Sequence, residues 1–389
     1  MNRHLWLLAV CQGLFLTNNV TFIAINGLVG LSLAPLGWMA TLPVMAYVVG
    51  GALSTGLVAR AQRRFGRRLS FQLGLAVALG SALLCCYAAY SRNFWLLTAA
   101  TLVAGYYNAN AQLYRFAAAE LAAPAFREKA VSLVLAGGLI GGVAGPNLAA
   151  ATRTLTATPF AGAYLALAGV ALLAIVLLAF IQFPPPPAQQ SASGGRPLGQ
   201  ILRQPAFLVA AVAGALGYGV MNLLMAATPI AMQICGLAFS DVALVLEWHV
   251  IAMFAPGFFT GHLIKRFGCL PIMAVGLALN VACVAVALTG VEFRQFMVAL
   301  FLLGLGWNFL FTGATALALT AYRPEEKDTA QGALNFCIFA VLAVTSLASG
   351  VLVTTQGWAL LNLGSLLPLG ATGLALGWLA IGQRRRQNA

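Results

Sequence analysis

Residues 60–68 read Arg60-Ala61-Gln62-Arg63-Arg64-Phe65-Gly66-Arg67-Arg68, and residues 261–268 read Gly261-His262-Leu263-Ile264-Lys265-Arg266-Phe267-Gly268. The two Arg-Phe-Gly triplets stand 202 residues apart. A second echo follows each of them: Arg127-Glu128-Lys129-Ala130 and Lys327-Asp328-Thr329-Ala330 stand 200 residues apart. Two coincidences at nearly one offset predict a duplicated unit. Long apolar runs flank both basic turns.

The chain has 389 residues, of which 61% are hydrophobic and 7% charged, and its mean hydropathy is +0.91. Soluble domains carry about 25% charged residues, because something polar must face water. A soluble enzyme, a secreted disulfide scaffold and a disordered chain are therefore excluded. A helical span needs about 20 apolar residues. Twelve such runs are predicted, at 5–31, 36–59, 69–90, 94–118, 130–152, 159–183, 205–235, 243–264, 269–290, 295–320, 330–353 and 360–382. The first is too long for a cleaved signal peptide and contains Asn18 and Asn19.

Of the 21 basic residues, seventeen fall at the termini and at alternate junctions. Arg92, Arg153 and Arg294 fall at the opposite junctions, and Arg115 within a run. By the positive-inside rule both termini are expected in the cytoplasm and the number of spans is even. The same distribution accounts for the net charge of +13 without nucleic acid. The expected partner is the lipid bilayer. The seven cysteines lie in apolar runs or at their edges with no Cys-x-x-Cys pair, so neither a disulfide framework nor zinc is indicated. The longest break, Pro184 to Gln204, opens with four prolines and continues through Ser193-Gly194-Gly195. Proline cannot continue a helix, and Gly/Ser chain is flexible. The predicted organisation is all-α and membrane-embedded: a six-helix bundle at 1–183, a linker at 184–204, and a second six-helix bundle at 205–389, related by pseudo-twofold symmetry.

This layout, with a basic loop after the second span and a weaker copy after the eighth, resembles the major facilitator superfamily. That family's loop motif runs Gly-x-Leu-x-Asp-Arg-x-Gly-Arg-Arg. Here the acidic position is Arg63 in the first copy and Lys265 in the second, so the charge relay attributed to that Asp does not carry over. The resemblance spans the whole chain and implies a secondary transporter working by alternating access, sufficient as a monomer. No Walker motif, His-Glu-x-x-His or nucleophile elbow is present, so an enzyme is not expected, nor is a cofactor.

The seventh run carries Met221 and Met225, and the eighth carries His249 and Met253, each pair four apart and on one helix face. Met225 and His249 lie 13 and 11 residues from Ala238 in the intervening loop, and Met221 and Met253 lie 17 and 15. At 1.5 Å per residue the members of each pair differ in depth by about 3 Å. Thioether and imidazole suit copper, but methionine is equally a filler of apolar cores, and spacing alone does not choose. The pattern is similar to the signature of the CcoA-like branch of the superfamily. That likeness implies copper uptake across the bacterial inner membrane, with copper as transported substrate and Met221, Met225, His249 and Met253 as its contacts. Cys235 is carried over as an accessory thiol. Glu247, two residues before His249, is a candidate for attracting cations or sharing a proton, and Asp241 reads as a helix cap.

The same branch includes RfnT-like proteins associated with riboflavin, which keeps a second expectation open: import of riboflavin or a similar flat organic solute. A polar pathway for such a molecule is expected from Asn18, Asn19, Asn108, Asn110, Gln112, Tyr114, Arg115, Trp307, Asn308 and Asn335. Each Asn is also a candidate helix–helix contact, and Arg115 lies near enough to the end of its run to snorkel. Gly141-Gly142-Val143-Ala144-Gly145-Pro146 resembles a motif of superfamily antiporters, which leaves efflux as a third reading. Small residues four apart read equally as a packing and hinge element.

Overall fold

In the computed structural model, residues 3–123, 127–184, 196–323 and 326–387 are described. Pro185, Pro186, Pro187 and the Ser193-Gly194-Gly195 of the expected linker lie outside them, as do the side chains of the Arg127-Glu128-Lys129 and Lys327-Asp328 echoes. The described chain is helical throughout: α1 (Arg3–Leu33), α2 (Leu42–Tyr90), α3 (Phe94–Ala111), α4 (Tyr114–Leu121), α5 (Arg127–Thr152), α6 (Ala161–Ala179), α7 (Leu198–Leu202), α8 (Pro205–Ile234), α9 (Phe239–Phe254), α10 (Gly257–Phe267), α11 (Cys269–Ala287), α12 (Phe293–Leu319), α13 (Lys327–Thr355) and α14 (Gly357–Gln387). Among the described residues, nine helical segments are long and apolar enough to cross a membrane, and α9 with α10, bent by 41°, makes a tenth. This is an all-α, multi-pass membrane protein.

The expected runs and the observed helices differ at three places, each with a local cause. The second and third runs are one 49-residue helix, α2, interrupted at Gly66 (φ 74, ψ 176). The expected run at 94–118 is divided by a turn at Gln112–Leu113 into α3 and α4. The run at 243–264 is broken between α9 and α10, where Pro256 has no N–H to give. The freed backbone there is held from α12. Asn308 Nδ2 donates to the Met253 carbonyl at 2.7 Å, and Thr260 Oγ1 donates to Asn308 Oδ1 at 2.6 Å.

The duplicated turn is duplicated in conformation. Gly268 (φ 89, ψ 166) repeats the backbone of Gly66, a region that only glycine occupies without strain. Arg64 lies over the Phe65 ring at 5.3 Å and Arg266 over Phe267 at 5.2 Å. In the first copy Arg67 also pairs with Glu120 at 2.6 Å and donates to Gln62 Oε1 at 2.8 Å, tying the turn to the end of α4.

Three apolar clusters form the interior. One, running from Val20 and Leu28 of α1 to Leu224 and Ile230 of α8 and Val353 of α13, is shared by the elements before residue 185 and those after 195. The other two draw their buried residues from one part each. Leu5, Leu8, Tyr114 and Leu178 belong to the first part of the chain, and Phe207, Leu310, Leu334 and Leu379 to the second. Both of these clusters lie at the opposite ends of the helices that enter the shared one. Buried packing between the two parts is thus concentrated at the end away from residues 3 and 387, while toward the other end the half-buried Phe254 and Val48 pack across. The first of these ends is closely sealed. A Cβ on Gly142 of α5 would stand 2.7 Å from Val250 Cγ1 of α9, and Asn147 Nδ2 donates to Glu247 Oε2 at 2.7 Å. Further round, the Gly350 N–H of α13 donates to Thr41 Oγ1 at 3.0 Å. Gly141 and Gly145 pack on α1, where Thr21 Oγ1 donates to the Gly145 carbonyl at 2.9 Å.

Candidate functional site

Where the two parts meet above the open end, α12 presents Trp307 and Phe311, four residues apart and therefore on one face. Their rings stack with centroids 5.1 Å apart and planes 9° from parallel. Tyr218 of α8 stands edge-on to both, at 5.2 Å from each. Phe254, the last residue of α9, closes the group 6.0 Å from Trp307. Glycine lets Tyr218 sit close: a Cβ on Gly219 would stand 2.5 Å from Val341 Cγ1, too near without a shift against α13, and one on Gly217 would stand 3.3 Å from Leu310 Cδ1 of α12.

From the first part of the chain, Tyr47 of α2 and Arg115 of α4 lie within electrostatic range of Tyr218. Three buried polar atoms in this neighbourhood lack a hydrogen-bond partner among the described residues: Trp307 Nε1, Tyr47 Oη and Arg115 Nε. Leaving such a group unmade costs about 1–3 kcal/mol, so each orphan calls for an explanation. A conjugated slab edged by unused donors can hold a flat ring by its face and its polar rim at once. Tyr47, Tyr218, Phe254 and Phe311 were absent from the sequence expectation. The four-residue spacing of Trp307 and Phe311 was the one signal that could have raised them.

The remaining expected residues are placed as follows. Asn18 is buried and Asn19 half-buried on α1, Asn108 is buried in α3 against Gly51, and Gln112 and Asn335 are exposed. Asn110 Nδ2 donates to the Ser70 carbonyl at 2.8 Å. Tyr114 is buried, donates to the Tyr107 hydroxyl and meets the Phe71 ring at 4.8 Å. Asn308 serves the clamp at the α9–α10 break. Cys235 is exposed at the end of α8, and Glu247 is engaged by Asn147.

Met221, Met225 and Met253 are buried within the shared apolar cluster. His249 is fully buried, with Nδ1 2.6 Å from the Leu300 carbonyl and packed against Gly304, both on α12. The imidazole is thus turned toward α12, whereas Met221 and Met225 belong to α8. Among the described residues no group of three His, Cys, Asp or Glu is placed to hold a metal ion.

A multi-pass α-helical protein, sealed at one end and holding an aromatic site toward the other, has the form of a membrane transporter. The model of the Major Facilitator Superfamily matches residues 5–246 and 210–389, and the chain belongs to that superfamily. It is a transporter, not an enzyme. Among curated proteins it is similar to the riboflavin transporter RfnT of Brucella anthropi, 39% identical over 363 residues, covering 92% of this chain and 91% of the relative. It is 28% identical over 348 residues to the uncharacterized MFS-type transporter YddS of Bacillus subtilis, covering 84% and 79% of the two chains. Among solved structures, the POT family transporter PepTSo superposes with a TM-score of 0.76 at 12% identity, covering 100% and 99% of the two chains. The human organic anion transporter MFSD10 gives a TM-score of 0.70 at 14% identity, covering 97% and 100%.

These findings correct the copper expectation. The relatedness is to RfnT rather than to a CcoA-like copper importer, and the absence of a metal-holding group of His, Cys, Asp or Glu among the described residues agrees with it. Copper uptake, and copper as the transported substrate, are withdrawn. Met221, Met225 and Met253 lie in the shared apolar core, and His249 Nδ1 meets the Leu300 carbonyl of α12 while its Nε2 has no partner among the described residues.

Proposed function

We propose that the chain is a secondary transporter of riboflavin or a similar flat, hydrogen-bonding organic solute. The observation that carries this reading is the Trp307–Phe311–Tyr218–Phe254 slab edged by the unpaired atoms of Trp307, Tyr47 and Arg115. The 39% identity to RfnT supports it. A conjugated heterocycle with carbonyl and imide edges stacks on such rings and satisfies such donors.

The mechanism in this reading is alternating access, supported by the three clusters, with this conformation closed at the shared cluster and open toward the termini. The spans number twelve in this reading, as two six-helix bundles at 1–183 and 205–389 joined by the 184–204 linker. At 1.5 Å per residue, the 49 residues of α2 extend about 74 Å, against about 30 Å of hydrocarbon, so α2 crosses twice around Gly66. The α3–α4 and α9–α10 pairs each cross once. The seventeen-to-three distribution of basic residues supports cytoplasmic termini in a bacterial inner membrane. A single chain suffices for transport. Uptake of labelled riboflavin into riboflavin-auxotrophic cells with and without the protein tests the substrate. Equal accumulation in both would refute it. Labelling of a cysteine placed at Arg153 from outside, and of neither terminus, tests the orientation.

A further inference from the structure

Apart from glycines, only Arg92 (φ 51) and Phe160 (φ 65) take up a left-handed backbone among the described residues. Such conformations disfavour side chains and persist where surrounding structure imposes them, often at functional sites. Both residues line one cavity of about 410 Å³, at the sealed end of the molecule. That volume falls within the range of small-molecule sites.

Arg153 lines it too. Its guanidinium carbon stands 5.3 Å from the Phe160 ring centre and 5.4 Å from that of Phe239, so the side chain is steadied by aromatic faces. Neither Arg92 nor Arg153 has a carboxylate partner among the described residues, and no acidic residue lines the cavity. Only three basic residues fall at this side's junctions, and two of them share this one cavity. Tyr90 and Ser32 add hydroxyls to its wall, and Gln233 of α8 brings the second part of the chain against it.

We propose that this cavity binds a phosphate group, held by Arg92 and Arg153, either as a free phosphate or as part of a lipid headgroup. Two guanidinium groups without carboxylates match an oxyanion of one to two charges, and guanidinium meets phosphate oxygens through paired N–H donors. The cavity exceeds a bare phosphate, which leaves room for the ester that carries it. Because its wall joins both parts of the chain, through Gln233 and through the Arg153–Phe239 contact, an occupant favours the state sealed at this end.

The test is a thermal-unfolding titration of the purified full chain in neutral detergent, with inorganic phosphate against sodium chloride at matched ionic strength. It is repeated in nanodiscs of phosphatidylcholine alone and with phosphatidylglycerol. The expected result is a saturable rise in Tm with phosphate, with apparent affinity weakened on the order of tenfold in Arg92→Gln and again in Arg153→Gln. If a headgroup is the natural occupant, phosphatidylglycerol itself raises Tm and abolishes the further response to phosphate. If free phosphate is, the response survives in both discs. No rise with either probe, or an equal rise in wild type and both variants, overturns the proposal. Arg92 is exposed, so Arg92→Gln leaves the fold intact, and monodispersity by size exclusion verifies this. The readout is independent of solute transport, so a failure of the riboflavin reading leaves this test standing.

Discussion

Replacing Trp307 by leucine removes two things the slab offers a flat solute: an aromatic face stacked on Phe311 and the unpaired indole N–H. Aromatic pairing contributes about 0.5–1.5 kcal/mol beyond burial, and a net hydrogen bond about 1 kcal/mol. Together they come to about 2 kcal/mol, or about thirtyfold in Kd. Trp307→Phe keeps the face and loses only the donor, which is about 1 kcal/mol and about fivefold. The order wild type, Phe, Leu is therefore expected, in two steps of about equal size, the second falling on the stacking term. Quenching of riboflavin fluorescence on titration with purified protein reads each Kd directly, and unfolding midpoints verify that the variants fold. A folded Trp307→Leu protein that binds riboflavin as tightly as wild type would refute the assignment of the slab as the solute site.

Three further outcomes follow from the geometry. Glu326 is buried and takes paired donation from Arg196 Nε and Nη2, both at 2.6 Å, together with the Arg323 N–H, which holds its carboxyl well below the usual carboxylate range. A depressed folded pKa contributes stability that is full above the unfolded value, about 4.3, and lost as pH falls below it. The Tm of the wild type should thus drop below about pH 4, and Glu326→Gln should flatten that dependence in a pH series of melts. Asn308→Ala strips the Met253 carbonyl of the Asn308 amide and leaves Thr260 only its Pro256 carbonyl, which should cost about 1–3 kcal/mol in a lowered unfolding midpoint; an unchanged midpoint would remove the clamp from the account of the α9–α10 break. The double substitution Met221→Leu, Met225→Leu conserves volume and should cost under about 1.5 kcal/mol while leaving riboflavin uptake near wild type; loss of uptake in a well-folded double variant would mean these thioethers do more than pack.

Particular residues separate what was legible from what was not. Arg64-Phe65-Gly66 and Arg266-Phe267-Gly268 announced a repeat, and both glycines take the same positive-φ backbone with the same arginine over the same phenylalanine. The Met and His spacings in α8 and α9 were read as face-sharing on each helix, and the copper assigned to them came from the CcoA-like resemblance, which the relatedness to RfnT overturns. Helical periodicity says which side chains share a face, but not which neighbour that face meets. His249 meets α12, and Glu247 meets Asn147 of α5. Asn308 looked like a pathway residue and is spent on a backbone carbonyl.

Membrane embedding, helical class, the internal duplication and the lopsided basic junctions were determined by the sequence alone. Each depends only on local composition, or on spacing along one chain, and lipid leaves little freedom in how an apolar run satisfies its backbone. The aromatic slab, the orphaned donors around it, the sealed and open ends and the arginine cavity were decided by tertiary structure. Each joins residues far apart in sequence, such as Arg115 with Tyr218 or Arg153 with Phe239. Their meeting depends on how helices rotate and cross in packing, and small residues such as Gly142, Gly217 and Gly219 control that packing by letting particular backbones approach.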